Sequence, residues 1–259
     1  WECNYPQLAQ WLRQRSLEQA EASHNQPHLL DAPAPFPQLA DMARQLSELD
    51  ELPGTALAAL PARYSVDVPG RKWQQIEAFA SRLQFRQTPS HWLDWCAGKG
   101  HLGRLLAHDG SALTCLEYDP QLVQAGQQLS ARLHLPALHQ QQDVLAEDAA
   151  DKLLADHTPV ALHACGDLHV RLLQLASAKG CRQLAVAPCC YNRIQTTHFQ
   201  ALSGPAQHYT LQLSRDDLGL PLSETVTAGQ RTRRQRDQSM ARRLAFDLLQ
   251  RQLRDCDQY

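Results

Sequence analysis

The sequence predicts an α/β fold, doubly wound around a mostly parallel sheet and preceded by a helical extension. Three observations predict it. His91–Trp95 is an apolar run of strand length, followed by glycines at 98, 100 and 103 and then by Leu102, Leu105, Leu106 and Ala107 at helical spacing. Strand, glycine-rich turn and helix together make the first unit of a nucleotide-binding sheet, in which glycines let the backbone approach a ligand and a helix aims its free N–H groups at it. Beyond this unit, short apolar runs alternate with helical ones, the signature of parallel strands joined by right-handed crossovers. Before it, residues 1–88 carry helical periodicity and no strand signal, so the expected division is a helical region, 1–88, and a ligand-binding domain, 89–259.

Tyr5 to Ser23 carries Leu8, Trp11, Leu12 and Leu17 among polar residues and reads as an amphipathic helix. Pro27, Pro33, Pro35 and Pro37 mark a linker over 25–37. Leu39 to Leu52 reads as a helix stopped by Pro53-Gly54, and Arg71 to Leu83 as a third, with Trp73, Ile76, Ala80 and Leu83 on one face. In the sheet, strands are expected at 91–95, 112–118, 137–144, 159–165 and 182–188, with helices over 121–133 and 168–179 between them. His208–Ser214 reads as a further strand and Gln230–Arg254 as a long basic helix. A closing antiparallel hairpin has no counterpart after it, and there is no initiating Met, so both ends are expected to be trimmed.

The chain has 259 residues, is 43% hydrophobic and 20% charged, and carries a formal net charge of −2. Those values describe an ordinary globular protein and exclude a uniformly basic nucleic-acid binder. The balance is local instead: eight arginines (231, 233, 234, 236, 242, 243, 251 and 254) fall on the last helix. No apolar run reaches the ~20 residues a transmembrane helix needs. Eight cysteines are scattered without a CxxC…CxxC zinc pattern and read as reduced, which places the protein in the cytoplasm and predicts no metal.

Ligands of open α/β sheets bind at the carboxyl ends of the strands, and polar residues line up there. Asp94 ends strand one. Glu117 ends strand two, where a carboxylate can accept from both hydroxyls of a ribose. Asp143 ends strand three, where it could accept from an adenine amino group. His163 and Asp167 flank the end of strand four, and Cys189, Cys190, Tyr191 and Asn192 follow strand five.

This ordered set resembles the class I S-adenosylmethionine-dependent methyltransferases, whose sheet is Rossmann-like. Their first motif, D/E-x-G-x-G-x-G, reads here Asp94-Trp95-Cys96-Ala97-Gly98-Lys99-Gly100, with Cys96 in place of the first glycine. The resemblance covers about residues 88–215. LHACGDL (162–168) and APCCYN (187–192) narrow it to a methyltransferase-like family with an HxCGDL…CCY signature, some members of which are ribosomal RNA adenine dimethylase domain-containing proteins. The chain is also similar to tRNA 2′-O-methyltransferases that carry a Cys-Cys-His-His version after strand five. The resemblance implies S-adenosyl-L-methionine as cofactor, held by Asp94, Cys96, Ala97, Gly98, Lys99, Gly100, Glu117, Tyr118, Asp143, Val144, His163 and Ala164. It implies a tRNA or rRNA acceptor as a candidate only.

Two versions of the transfer are open. In one, Tyr191, Asn192 and the backbone after Pro188 orient an amine or hydroxyl while His163 or Asp167 removes its proton. In the other, Cys189 or Cys190 attacks a pyrimidine ring, which needs a depressed thiol pKa. Arg71 and Lys72, at the start of the helix before strand one, together with Arg231, Arg233, Arg234 and Arg236, are the expected substrate contacts, since Arg pairs with phosphate through two donors. Two rivals share part of the pattern. An NAD-dependent dehydrogenase shares the glycine turn and the acid after strand two, but not Asp143 or CCYN. A degenerate cofactor-binding module acting as an RNA-binding scaffold is the non-enzymatic reading.

Overall fold

Strand β1, His91–Trp95, lies in the middle of a five-stranded parallel sheet in the order β3-β2-β1-β4-β5. The other strands are β2 (Ala112–Glu117), β3 (Ala137–Gln141), β4 (Thr158–Leu162) and β5 (Ala185–Ala187). The computed structural model describes residues 1–16, 18–20, 29–220 and 230–254, without the side chains of 230–233. Its helices are α1 (Pro6–Arg13), α2 (Phe36–Ser47), α3 (Gly70–Ser81), α4 (His101–Leu106), α5 (Pro120–Arg132), α6 (Asp167–Lys179), the short α7 (Gly204–Gln207) and α8 (Arg215–Gly219), and α9 (Gln230–Arg254).

Parallel strands buried on both faces lose the apolar–polar alternation of a half-exposed sheet, and β1 illustrates this. Leu93 and Trp95 pack on one side with Leu116, Ala161 and Leu172, the last from α6. Trp92 packs on the other with Leu113, Val160, Leu102 and Leu105 of α4, and Ile76 and Ala80 of α3. Because β1 pairs with both β2 and β4, the chain winds outward in one direction to β3 and returns to wind outward in the other. The crevice at that reversal, beyond the ends of β1 and β4, is where this fold class binds ligands.

The chain divides into two compact units, Trp1–Leu52 with Thr225–Tyr259, and Pro53–Glu224. The second of these units reaches back to Pro53. Helix α3 belongs with the sheet, because Ile76 and Ala80 are buried in its core. The other unit holds α1, α2 and α9.

Strand three ends at Gln141 rather than 144, strand four at Leu162 rather than 165, and strand five is only three residues long. The expected strand over 208–214 is not formed. Ser214 makes a single antiparallel bridge to His198, and Tyr209 and Leu211 remain 77% and 74% exposed. Alternating apolar residues make a strand only when a sheet edge and a core are there to receive them. Helix α2 starts three residues before the expected position, with proline in its first turn, and stops at Ser47 rather than Leu52. Leu49 and Leu52 are exposed, so no packing extends the helix over them. Helix α1 ends at Arg13; the rest of the helix expected to Ser23 includes Leu17 and residues 21–23, which lie outside the described residues. Helix α9 has the expected bounds.

Candidate active site

The turn after β1 is held from below and left open above. Ala97 N–H donates to Leu116 O at 2.9 Å and Gly100 N–H to Ala97 O at 2.8 Å, closing the turn. Gly98 N–H donates to Glu117 Oε2 at 2.8 Å, while Glu117 Oε1 accepts from Asp119 N–H at 3.0 Å. Glu117 thus sits at the end of β2 with its carboxylate against the glycine turn. A Cβ on Gly98, whose φ is +58°, would meet nothing within 4 Å, whereas one on Gly100, at φ +72°, would lie 2.7 Å from His139. Gly98 faces open space and Gly100 faces the interior. Cys96, in the first glycine position, adopts φ 57°. That is the left-handed region glycine occupies freely and other residues enter at a cost.

Asp94 does not face the opening. It is 2% exposed, and its Oδ2 accepts from Gly103 N–H in the first turn of α4 at 2.9 Å. Burial is the main cause that pushes its carboxyl up to about 7, against the Gly103 hydrogen bond and the charges of Arg104 and Lys72. Beneath the turn lies a polar layer that sequence inspection did not single out. Arg104 is 1% exposed; its guanidinium donates to Lys99 O and lies 3.0 Å from His101 Nδ1. His139 Nε2 pairs with Ser130 Oγ at 2.8 Å. Burial, and then the Arg104 charge, depress both His101 and His139 to about 4. Both rings are neutral at pH 7, and the buried arginine fixes the Lys99 carbonyl. An arginine on a short helix gives no sequence signal that it is buried.

Asp143 is exposed beyond β3, with Oδ1 accepting from Leu145 N–H at 2.9 Å. Tyr118 is 70% exposed. Val144 and Ala164 are buried in the core cluster on the α6 side of the sheet.

Across the crevice, the turns after β4 and β5 are zipped together. His163 N–H donates to Ala187 O at 3.0 Å, Gly166 N–H to Cys190 O at 2.9 Å and Asp167 N–H to Arg193 O at 3.1 Å. Asp167 Oδ2 accepts from Gln195 N–H at 2.7 Å, so this carboxylate helps join the two turns. His163 adopts φ 67°, and its Nε2 lies 3.1 Å from Gln75 Oε1 on α3. Burial, followed by the charge of Lys72, lowers the His163 pKa. Helix α3 thus brings Gln75 to the mouth of the site. Gln75 was missed, although its place one turn after Lys72 could have suggested it. Arg71 and Lys72 are both exposed at the start of that helix.

Cys189 is exposed, its Sγ 3.2 Å from Cys165 Sγ and 3.4 Å from Cys190 Sγ. Burial first, then hydrogen bonds among these thiols, push Cys189 up to about 12, which opposes its use as an attacking thiolate. Tyr191 is half exposed and meets the His169 ring edge-on at 6.0 Å between centroids. Asn192 Oδ1 is buried and accepts no hydrogen bond among the described residues. Of the expected arginines on α9, Arg231 and Arg233 have side chains outside the described residues. Arg234 is exposed, and Arg236 pairs with Asp237 at 2.7 Å.

Residues 71–197, from α3 through the turn after β5, match a family described as a methyltransferase domain. The match supports a methyltransferase domain over that segment. The match covers the glycine turn, Glu117, Asp143, His163 and the Cys189–Asn192 turn together. No curated protein matches the chain. In the described part of this domain and of the rest of the chain, no helix is long and apolar enough to cross a membrane.

Proposed function

We propose that the domain transfers the methyl group of S-adenosylmethionine to an amine or hydroxyl of an RNA, held between the crevice and the turns after β4 and β5. The observation that carries the cofactor reading is the pairing of Glu117 with Gly98 beside open space. A carboxylate at that height on β2 can accept from two vicinal hydroxyls, and a glycine without a Cβ lets a chain carrying an amino acid lie against the backbone. Asp143, exposed beyond β3, is positioned to accept from a ring amino group. The bound cofactor would supply a methyl group on a positively charged sulfur.

The chain's own residues then have three tasks. Asn192 Oδ1, a buried acceptor without a donor, takes an N–H or O–H of the incoming group and fixes its lone pair toward the crevice. With Gln75 Oε1 facing Nε2, His163 carries its proton there and leaves Nδ1 to accept one. Its lowered pKa keeps it unprotonated at neutral pH, so it can act as base. Tyr191 offers an exposed ring on which a base can stack.

RNA as acceptor is supported by the arginines of α9 and by exposed Arg71 and Lys72. The test is transfer of radiolabel from methyl-labelled S-adenosylmethionine into cell extract separated into RNA, protein and small-molecule fractions. Label in RNA that is lost in Asn192→Ala supports the reading. Label confined to protein or small molecules overturns the acceptor, and no label in any fraction overturns the activity.

A further inference from the structure

We propose that Cys165, Cys189 and Cys190 form a site for a thiophilic divalent cation, of which Zn²⁺ is the type, bound by three thiolates with a fourth position open to solvent. This inference goes beyond the proposed methyl transfer and does not need it. The three sulfurs lie within 4.8 Å of one another, the one such convergence of potential metal ligands among the described residues. Zn–S bonds of about 2.3 Å in a tetrahedron put sulfurs about 3.8 Å apart. Separations of 3.2 and 3.4 Å therefore need only about 0.4–0.6 Å of adjustment, within reach of side-chain rotation.

The backbone already holds the ligands in place. Cys165 leaves β4 and Cys189–Cys190 leave β5, and the Gly166 N–H to Cys190 O bond ties the two turns beside the thiols. Gly166 has φ 58°, and a Cβ there would lie 1.8 Å from Arg193 O, so the turns meet with no room for a side chain. The site is consequently preformed and pays little ordering entropy on binding.

Burial opposes ionisation of Cys165, but hydrogen bonds from Cys189 and then Cys190 outweigh it and hold its pKa below the ordinary thiol value. Cys189 is pushed in the opposite direction. A divalent cation that binds the three sulfurs displaces their protons, so binding strengthens as pH rises. Soft thiolate sets select Zn²⁺ and similar ions over Mg²⁺ or Ca²⁺. Cys165 is buried, Cys190 half-buried and Cys189 exposed, which leaves the fourth position on the solvent side for water. Three protein ligands and one open position is the arrangement of reactive rather than purely structural zinc sites.

The experiment uses the full chain, reduced and freed of metal, titrated with Co²⁺ and followed by absorbance, with Zn²⁺ displacement as competition and free thiols counted in parallel. The expected result is saturation at one equivalent with an intense thiolate-to-cobalt charge-transfer band that Zn²⁺ abolishes. The band should be lost in Cys165→Ser and in the Cys189→Ser, Cys190→Ser double variant, and retained in Cys181→Ser. Circular dichroism melts of each variant separate loss of a ligand from loss of the fold, and the exposed Cys189→Ser alone serves if the buried substitution unfolds. Absence of saturable binding with all thiols free, binding without the charge-transfer band, or a band indifferent to these substitutions overturns the proposal. No cofactor or acceptor enters the assay, so its failure leaves the methyltransferase reading as it was.

Discussion

Glu117 and Asp94 are both carboxylates at strand ends, and their surroundings give them opposite roles. Glu117 presents its carboxylate to the mouth of the turn, so Glu117→Ala should remove a charged acceptor worth roughly 1.5–3 kcal/mol. Affinity for S-adenosylhomocysteine, read by calorimetry, should fall about ten- to a hundred-fold. Asp94 is sealed beneath the turn with its pKa raised to about 7. A raised folded-state pKa means that the folded protein holds the proton more tightly. Its stabilising contribution is complete below the ordinary carboxyl range near pH 4 and is lost as pH rises through 7. Asp94→Asn keeps an oxygen for Gly103 N–H and removes the buried charge. Its melting temperature should therefore fall less between pH 5 and pH 8 than the parent's, by a difference on the order of a few kcal/mol in stability. An equal fall in both proteins would contradict the burial assigned to this group. Position along a strand was legible in the sequence, which is why both residues were found. Whether a strand-end side chain points up to a ligand or down to a helix was not, because that depends on which neighbour donates to it. Arg104 and His139 were illegible for the same reason, since their partners come from other elements.

At the scale of elements, two glycines with nearly the same φ separate an open turn from a packed one. In Gly98→Ala the new methyl enters open space, so the cost is that of the left-handed backbone, about 1–2 kcal/mol. The protein should fold, with a modestly lower melting temperature and cofactor binding sharply weakened. In Gly166→Ala the methyl would meet the Arg193 backbone, and the destabilisation should exceed the ~1–3 kcal/mol of ordinary overpacking. Comparable melting temperatures for the two variants would contradict this contrast. The order of strands and helices from β1 to β5 was readable from alternation and turn residues. Strand ends were overestimated by up to three residues, because apolar character continues into turns such as His163–Cys165 that the fold uses to cross between strands. The 208–214 segment shows the converse, in which a strand-like pattern lacks an edge to join.

On the scale of the molecule, the charge is divided between a near-neutral domain and the arginine-rich helix α9. If that helix binds RNA through phosphates, binding should weaken steeply between about 50 and 200 mM salt. An Arg231, Arg233, Arg234, Arg236 to Gln variant should bind more weakly and with a shallower salt dependence. Filter binding with total tRNA and ribosomal RNA fragments reads both, and salt-independent binding or an unaffected variant removes RNA as the favoured acceptor. The helix itself was legible from composition, while the division of the chain at 52/53 and 224/225 was not, because α3 announces its helicity but not the sheet it packs on. The central claim is that the open turn above Gly98 and Glu117 holds S-adenosylmethionine. The most direct measurement is thermal melting of the parent and of Glu117→Ala with S-adenosylmethionine, S-adenosylhomocysteine and NAD in parallel, since a ligand of the folded state raises its apparent stability by mass action. The account predicts a rise with the first two ligands and none with NAD, reduced or abolished in the variant. A rise with NAD alone, or equal rises in parent and variant, would contradict it.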